Sequence, residues 1–169
     1  GGVDAVGENR AQELAAKRAA FPDLEWHFIG HLQSRKVKQV LPLVKWIHSV
    51  ASDSALEQLG THGTPDTEVL VEVNVAREEG KSGIAPEELD AFVERCPAKV
   101  VGLMTMPPAA SDPEDSRRWF AALRELAHDR GLPELSMGTS QDYVVAAQEG
   151  ATVVRLGTRI FAGKSGPAA

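Results

Sequence analysis

Short β-branched or apolar runs alternate with helical patterns along nearly the whole chain, and this alternation constrains the fold more than any other feature. The runs are Val3–Val6, Trp26–Ile29, Trp46–Val50, Val69–Val75, Val100–Met104, Leu135–Met137 and Thr152–Leu156. Several are apolar almost throughout, as parallel strands buried on both faces are. A helical pattern follows each one, the last being followed by a short helical turn. Asn9–Ala20 is rich in strong helix formers, and Ser34–Val44 is apolar at Val37, Val40, Leu41 and Val44, with Pro42 ending it early. Asp53–Leu59 follows a Ser52 cap, and Pro86 opens a helix with Leu89, Phe92 and Val93 on one face. Asp115–Arg130 places Trp119, Phe120, Leu123 and Leu126 on one stripe. Ser140 opens the last pattern, which runs to Gln148 before the stop at Gly150.

Strictly alternating units predict a parallel sheet covered by helices. Seven are too many for a comfortable open sheet of 169 residues and one short of a (β/α)8 barrel. Such barrels take at least about 200 residues, and one βα unit of roughly 30 residues accounts for the deficit. The expected fold is an α/β TIM-type barrel lacking its first strand. The whole chain, 1–169, is then one N-terminally incomplete domain, with unpaired edges at Val3–Val6 and Thr152–Leu156.

Composition excludes several classes. With 43% hydrophobic and 25% charged residues the chain is not disordered. Eighteen basic against 24 acidic residues give a net charge of −6, the wrong sign for a general nucleic-acid or anionic-membrane binder. Aromatics at 5% are too few for base-stacking platforms. No apolar run approaches the roughly 18 residues of a membrane helix. Cys96 is alone, so no internal disulfide forms, which fits a cytoplasmic setting. A monomer is expected.

In a barrel the chemistry sits at the C-terminal ends of the strands. Two adjacent ends stand out. In Ser136-Met137-Gly138-Thr139-Ser140 a glycine permits close backbone approach and a serine opens a helix; in Arg155-Leu156-Gly157-Thr158 a glycine and a hydroxyl recur. Turn geometry and an N-cap explain either loop alone. Together, after the last two strands, they suit a phosphate held by backbone N–H groups. Other signals are weaker. Gly80-Lys81-Ser82 resembles the end of a P-loop, but the required glycine is Val75. His27 and His31 are four apart but Gly30 intervenes, so they read as core or loop histidines rather than a zinc pair, and no metal site is expected. Cys96 has no nucleophile signature, and no G-x-S-x-G elbow exists.

Several motifs converge on one family. Gly7-Glu8-Asn9, Trp26-His27-Phe28-Ile29-Gly30 with Leu32-Gln33 and Lys36, Lys81-Ser82-Gly83, Gly102-Leu103-Met104, Ser136-Met137-Gly138 with Ser140 and Asp142, and Val154–Thr158 with Ile160-Phe161 resemble the YggS-like pyridoxal phosphate homeostasis proteins. The resemblance spans nearly the whole chain in the family's order. It implies the alanine-racemase N-terminal barrel with pyridoxal 5′-phosphate (PLP) at its mouth. It also implies a cytoplasmic carrier or regulator of PLP and amino-acid balance without an established catalytic activity, serving PLP and PLP-dependent apoenzymes.

Residue by residue, the resemblance makes Ser140, Gly157 and Thr158 phosphate-loop positions. It makes Arg155 the arginine facing the pyridine nitrogen and Asn9 a pocket residue, with Ser136 and Gly138 in the same cofactor-binding set; it names no catalytic residue. His31, Arg35 and Thr139 depart from the usual pattern. The family's Schiff-base lysine lies in a Val-Ser-Lys type context upstream of Gly-Glu-Asn, and none of Lys17, Lys36, Lys38, Lys45, Lys81, Lys99 and Lys164 has that context. Two other readings compete with the carrier. One is a PLP-dependent racemase or decarboxylase, which usually needs a second domain or subunit. The other is a phosphate-binding barrel enzyme without PLP, which needs a general base at the mouth; no convincing His/Asp pair supplies one.

Overall fold

Strand formation begins wherever β-branched and aromatic residues cluster, and in the computed structural model, which describes residues 3–157 and 160, every expected run yields a strand. The strands are β1 (Ala5–Glu8), β2 (Glu25–Phe28), β3 (Trp46–Val50), β4 (Glu68–Glu72), β5 (Lys99–Met104), β6 (Glu134–Thr139) and β7 (Val153–Arg155). They form one parallel sheet in sequential order, β1 to β7. Helices α1 (Ala11–Ala20), α2 (Val37–Val40), α3 (Asp53–His62), α4 (Leu89–Arg95), α5 (Arg117–His128) and α6 (Tyr143–Gln148) alternate with the strands. This is the TIM-type barrel expected, nearly closed, and among the described residues β1 and β7 each pair on one side only.

Several boundaries differ from the sequence reading, each for a local reason. β1 lies two residues later than Val3–Val6 because its register is set by β2, with Ala5 opposite Glu25 and Glu8 opposite Phe28. β4 stops at Glu72 rather than Val75, since Ile84 donates to the Glu72 carbonyl (2.9 Å) and Asn74 to the Ile84 carbonyl (2.9 Å), pulling the chain into a loop. The Ser34–Val44 pattern breaks into two 3₁₀ turns flanking α2, with Pro42 inside the second. α6 starts at Tyr143, not Ser140, because Asp142 Oδ1 accepts from the Thr139 amide (2.7 Å) and closes a turn first.

The core has two compartments. Outward-facing strand residues such as Phe28, Ile47, Val69, Val71, Leu103 and Met137 pack against the helices, where α5 contributes Phe120, Leu123 and Ala127. A smaller cluster of Leu70, Val101 and Met104, with Trp46 against it, is separate. The expectation that strands are apolar on both faces holds only in part. His27, His48, Glu72 and Ser136 alternate with the helix-facing positions and are all buried. The barrel interior is thus mixed: apolar around Leu70 and Met104, polar around the histidines.

Candidate functional site

The ends of the strands surround a cavity of about 450 Å³ whose lining includes Asn9, Gly30, His31, Ser49, Glu72, Lys81, Met104, Thr139 and Asp142. Its walls are tied together locally. Glu8, buried at the end of β1, accepts from the Asn9 and Arg10 amides (2.7 Å each) and pairs with Lys17, so a carboxylate holds the turn into α1. Burial alone would raise the Glu8 pKa, but Lys17 and these amides outweigh it and hold the carboxyl below its ordinary value. A Cβ on Gly30 would stand 2.1 Å from the Asn9 carbonyl, so only glycine lets the β1 and β2 ends approach here. Ser49 Oγ donates to the Gly30 carbonyl (2.5 Å), and Ser82 Oγ donates to the Glu72 carboxylate (2.6 Å).

The β6 and β7 ends meet beside this cavity. The Gly157 amide donates to Ser140 Oγ at 3.2 Å, so the two loops read from sequence as a phosphate site do adjoin. Gly138 has φ +90°, and a Cβ there would lie 2.5 Å from the Ala146 Cβ; it is required by the packing of α6 on β6. Arg155, half-buried, turns inward. Its Nη1 donates to the Ser136 carbonyl (2.9 Å) and Oγ (2.7 Å), and its Nη2 donates to the Thr105 carbonyl (2.8 Å). Thr105 sits between Met104 and Met106, both of which line the cavity. Burial pushes the Arg155 pKa down to about 10, against the opposing charges of Glu72 and Asp142. The guanidinium is still charged at neutral pH.

Of the seven sequence-predicted positions, Asn9 lines the cavity; Ser136 and Arg155 do not, but are joined to each other and, through Arg155, to the Thr105 carbonyl; Gly138, Ser140 and Gly157 gather at the β6–β7 end. Thr158 lies outside the described residues. Glu72 and Ser49, absent from the sequence reading, line the mouth; each had only strand alternation to mark it as inward. Lys81, in the stretch whose P-loop reading fails, also lines the cavity, and His31 stands exposed at its edge. Among the described residues no cluster of three or more His, Cys, Asp or Glu could hold a metal. Burial raises the pKa of Cys96, as suits a structural thiol. No described helix is long and apolar enough to cross a membrane.

The model of the alanine racemase N-terminal domain family matches residues 1–165. The pyridoxal phosphate homeostasis protein of Aquifex aeolicus is 44% identical, covering 95% of this chain and 77% of that protein; the homologue of the same name from Pseudomonas aeruginosa is 40% identical, covering 95% and 74%. The chain belongs to the pyridoxal phosphate homeostasis protein family. Among solved structures, PipY of Synechococcus elongatus PCC7942 with PLP bound superposes with a TM-score of 0.77 at 34% identity, over 92% of this chain and 80% of that one. Alanine racemase from Corynebacterium glutamicum, at 18% identity and a TM-score of 0.69 over 95% of this chain and 48% of that one, shares the fold. The superposed barrels thus agree with the architecture derived from the alternation of strands and helices.

Proposed function

We propose that this domain binds PLP at the barrel mouth and serves as a carrier or regulator of the intracellular, cytoplasmic cofactor pool rather than as a catalyst. The observation that carries the reading is the convergence of the Gly157 amide and the Ser140 hydroxyl, beside a cavity of about 450 Å³. The residues present fit the group. Ser140 and Gly157, with Thr158, would take the phosphate; Arg155 would face the ring; Asn9 would line the pocket. When bound, PLP supplies an aldehyde and an electron-withdrawing ring. Arg155, a fixed cation, would keep a proton off the ring nitrogen and so weaken the ring as an electron sink. That is a physical reason for the cofactor to be held with little reaction. A strand outside the chain, seated between β1 and β7 and bearing a lysine, would close the barrel; the chain itself would hold PLP noncovalently, as a monomer, for transfer to PLP-dependent apoenzymes.

Titration with PLP tests the site. Thr158→Val is expected to weaken binding by about 1–3 kcal/mol if its hydroxyl donates to the phosphate dianion; unchanged affinity removes Thr158 from the site. Borohydride treatment and peptide mapping should give no stoichiometric pyridoxyl adduct on Lys36 or Lys81, and such an adduct would overturn the noncovalent reading. Turnover of free amino acids by the PLP-loaded chain would favour the racemase or decarboxylase reading.

A further inference from the structure

The barrel interior holds a chain of hydrogen bonds that starts at Arg155 and Ser136 of the proposed cofactor site and continues beyond it through two histidines. Arg155 Nη1 meets Ser136 Oγ (2.7 Å), Ser136 Oγ meets His48 Nδ1 (2.8 Å), His48 Nε2 meets His27 Nδ1 (2.9 Å), and His27 Nε2 meets Glu25 Oε1 (3.1 Å). Four strands contribute: β7, β6, β3 and β2. Ser136 and His48 are fully buried and His27 nearly so, while Glu25 opens β2 at the opposite end of the barrel and pairs with Lys45 (2.9 Å).

The two ends of this chain are one-way groups. A guanidinium only donates, so Ser136 Oγ accepts from Arg155 and has its own hydrogen available to turn to His48 Nδ1. An accepting Nδ1 places the His48 hydrogen on Nε2, where it is donated to His27 Nδ1. His27 then carries its hydrogen on Nε2 and gives it to Glu25. A carboxylate only accepts, so the run from Glu25 through two neutral imidazoles returns the same assignment. With both imidazoles neutral, the Glu25 carboxylate therefore sets one polarity on every bond as far as Ser136, which accepts from Arg155. A proton added to His48 Nδ1 would turn the Ser136 hydroxyl hydrogen away, and one added to His27 Nδ1 would force the His48 hydrogen from Nε2 to Nδ1. Protonating either imidazole therefore breaks the one-way order, and only the neutral pair keeps it. Burial acts in the same direction, pushing His48 down to about 3 together with the charges of His27 and Arg155, and lowering His27 against the pull of Glu25.

We propose that His48 and His27 are positioning residues for Arg155: acting through Ser136, they form a one-way donor chain that holds the guanidinium at the cavity border. Bonds polarised in series strengthen one another, so Ser136 Oγ becomes a stronger acceptor for the arginine than an isolated hydroxyl. The barrel thereby fixes a cation beside the cavity with no hydrogen-bonded carboxylate among the described residues. The same chain keeps both imidazoles from acting as proton donors to a ligand.

The test is side-chain nitrogen NMR on the ligand-free chain, which reads tautomers directly and contains no PLP, so it stands or falls separately from the proposed function. Both His48 and His27 are expected at pH 7 as neutral Nε2–H tautomers, with Nδ1 at the unprotonated extreme. Either histidine found as an imidazolium or as the Nδ1–H tautomer overturns the proposal. In His48→Phe, the separately resolved Nη hydrogens of Arg155 should collapse to one exchange-averaged signal. In His48→Asn, whose side-chain oxygen restores an acceptor for Ser136, they should stay resolved. Arg155 signals unchanged in a folded His48→Phe would overturn the proposal, and if that variant does not fold, the tautomers of the wild-type chain decide.

Discussion

Single residues in this barrel do work that their neighbours in sequence do not announce. Glu8 ends a strand and yet caps the following turn; Ser136 is a small strand residue and yet joins an arginine to a histidine. His48 makes the clearest prediction. Its folded pKa lies near 3 against 6.5 for the free side chain, so the fold prefers the neutral imidazole. The stabilisation is complete above about pH 6.5 and is lost as the pH falls toward 3, with a slope of about 1.4 kcal/mol per pH unit for each proton taken up on unfolding. His27 shifts the same way and adds to the slope. Urea unfolding across pH 8 to 5 should show a plateau, then a fall beginning near pH 6.5, well above the range where carboxylates such as Glu8 titrate. A flat profile between pH 6.5 and 5 would contradict the neutral buried pair.

At the level of elements, what matters is how closely a helix can seat on its strand. α6 has only six residues, too short for intrinsic helicity to hold it, so it depends on packing against β6. Gly138 makes that packing possible, since a Cβ would meet the Ala146 Cβ at 2.5 Å and the residue has φ +90°. Gly131 is the natural control: φ is +63°, but a Cβ there would meet nothing within 4 Å. Gly131→Ala should cost only the left-handed strain, about 1–2 kcal/mol. Gly138→Ala should cost that plus an overpacking penalty of about 1–3 kcal/mol. The two urea midpoints measure the difference, and equal losses would mean that α6 shifts without cost. Because α6 sits behind the Ser140–Gly157 contact, Gly138→Ala should also weaken PLP binding while Gly131→Ala does not.

For the whole molecule, the sheet order predicts where the fold opens first. β3, β4 and β5 each pair on both sides, and β4 is buried along nearly its full length. β1 and β7 pair on one side among the described residues, and β7 is only half-buried. Native-state hydrogen exchange should therefore be slowest in β3–β5 and fastest in β1 and β7. Protection in β1 equal to that in β4 would show that its outer edge is covered, for instance by a second copy of the chain, which light scattering would detect.

The sequence by itself determined the number and order of the strands, their parallel pairing and the adjacency of the Ser140 and Gly157 loops. Periodicity and turn residues act locally, and the handedness of βα units leaves a parallel sheet few alternatives. The resemblance carried by Gly7-Glu8-Asn9, Trp26–Gly30 and Val154–Thr158 identified the family as well. Strand ends were less legible, because a partner's register decides them: Glu8 belongs to β1 only because Phe28 stands opposite it. Of the inward-facing polar set, the resemblance marked Ser136 and Arg155 as pocket positions, but their connection to His27 and His48 was not legible. His27, His48, Ser136 and Arg155 are spread over 129 positions of sequence by number, and neither histidine carries a local sign of the other three. Only closing the sheet toward a barrel brings side chains from β2, β3, β6 and β7 within hydrogen-bonding distance, because facing across a barrel is a property of its curvature and not of any local sequence.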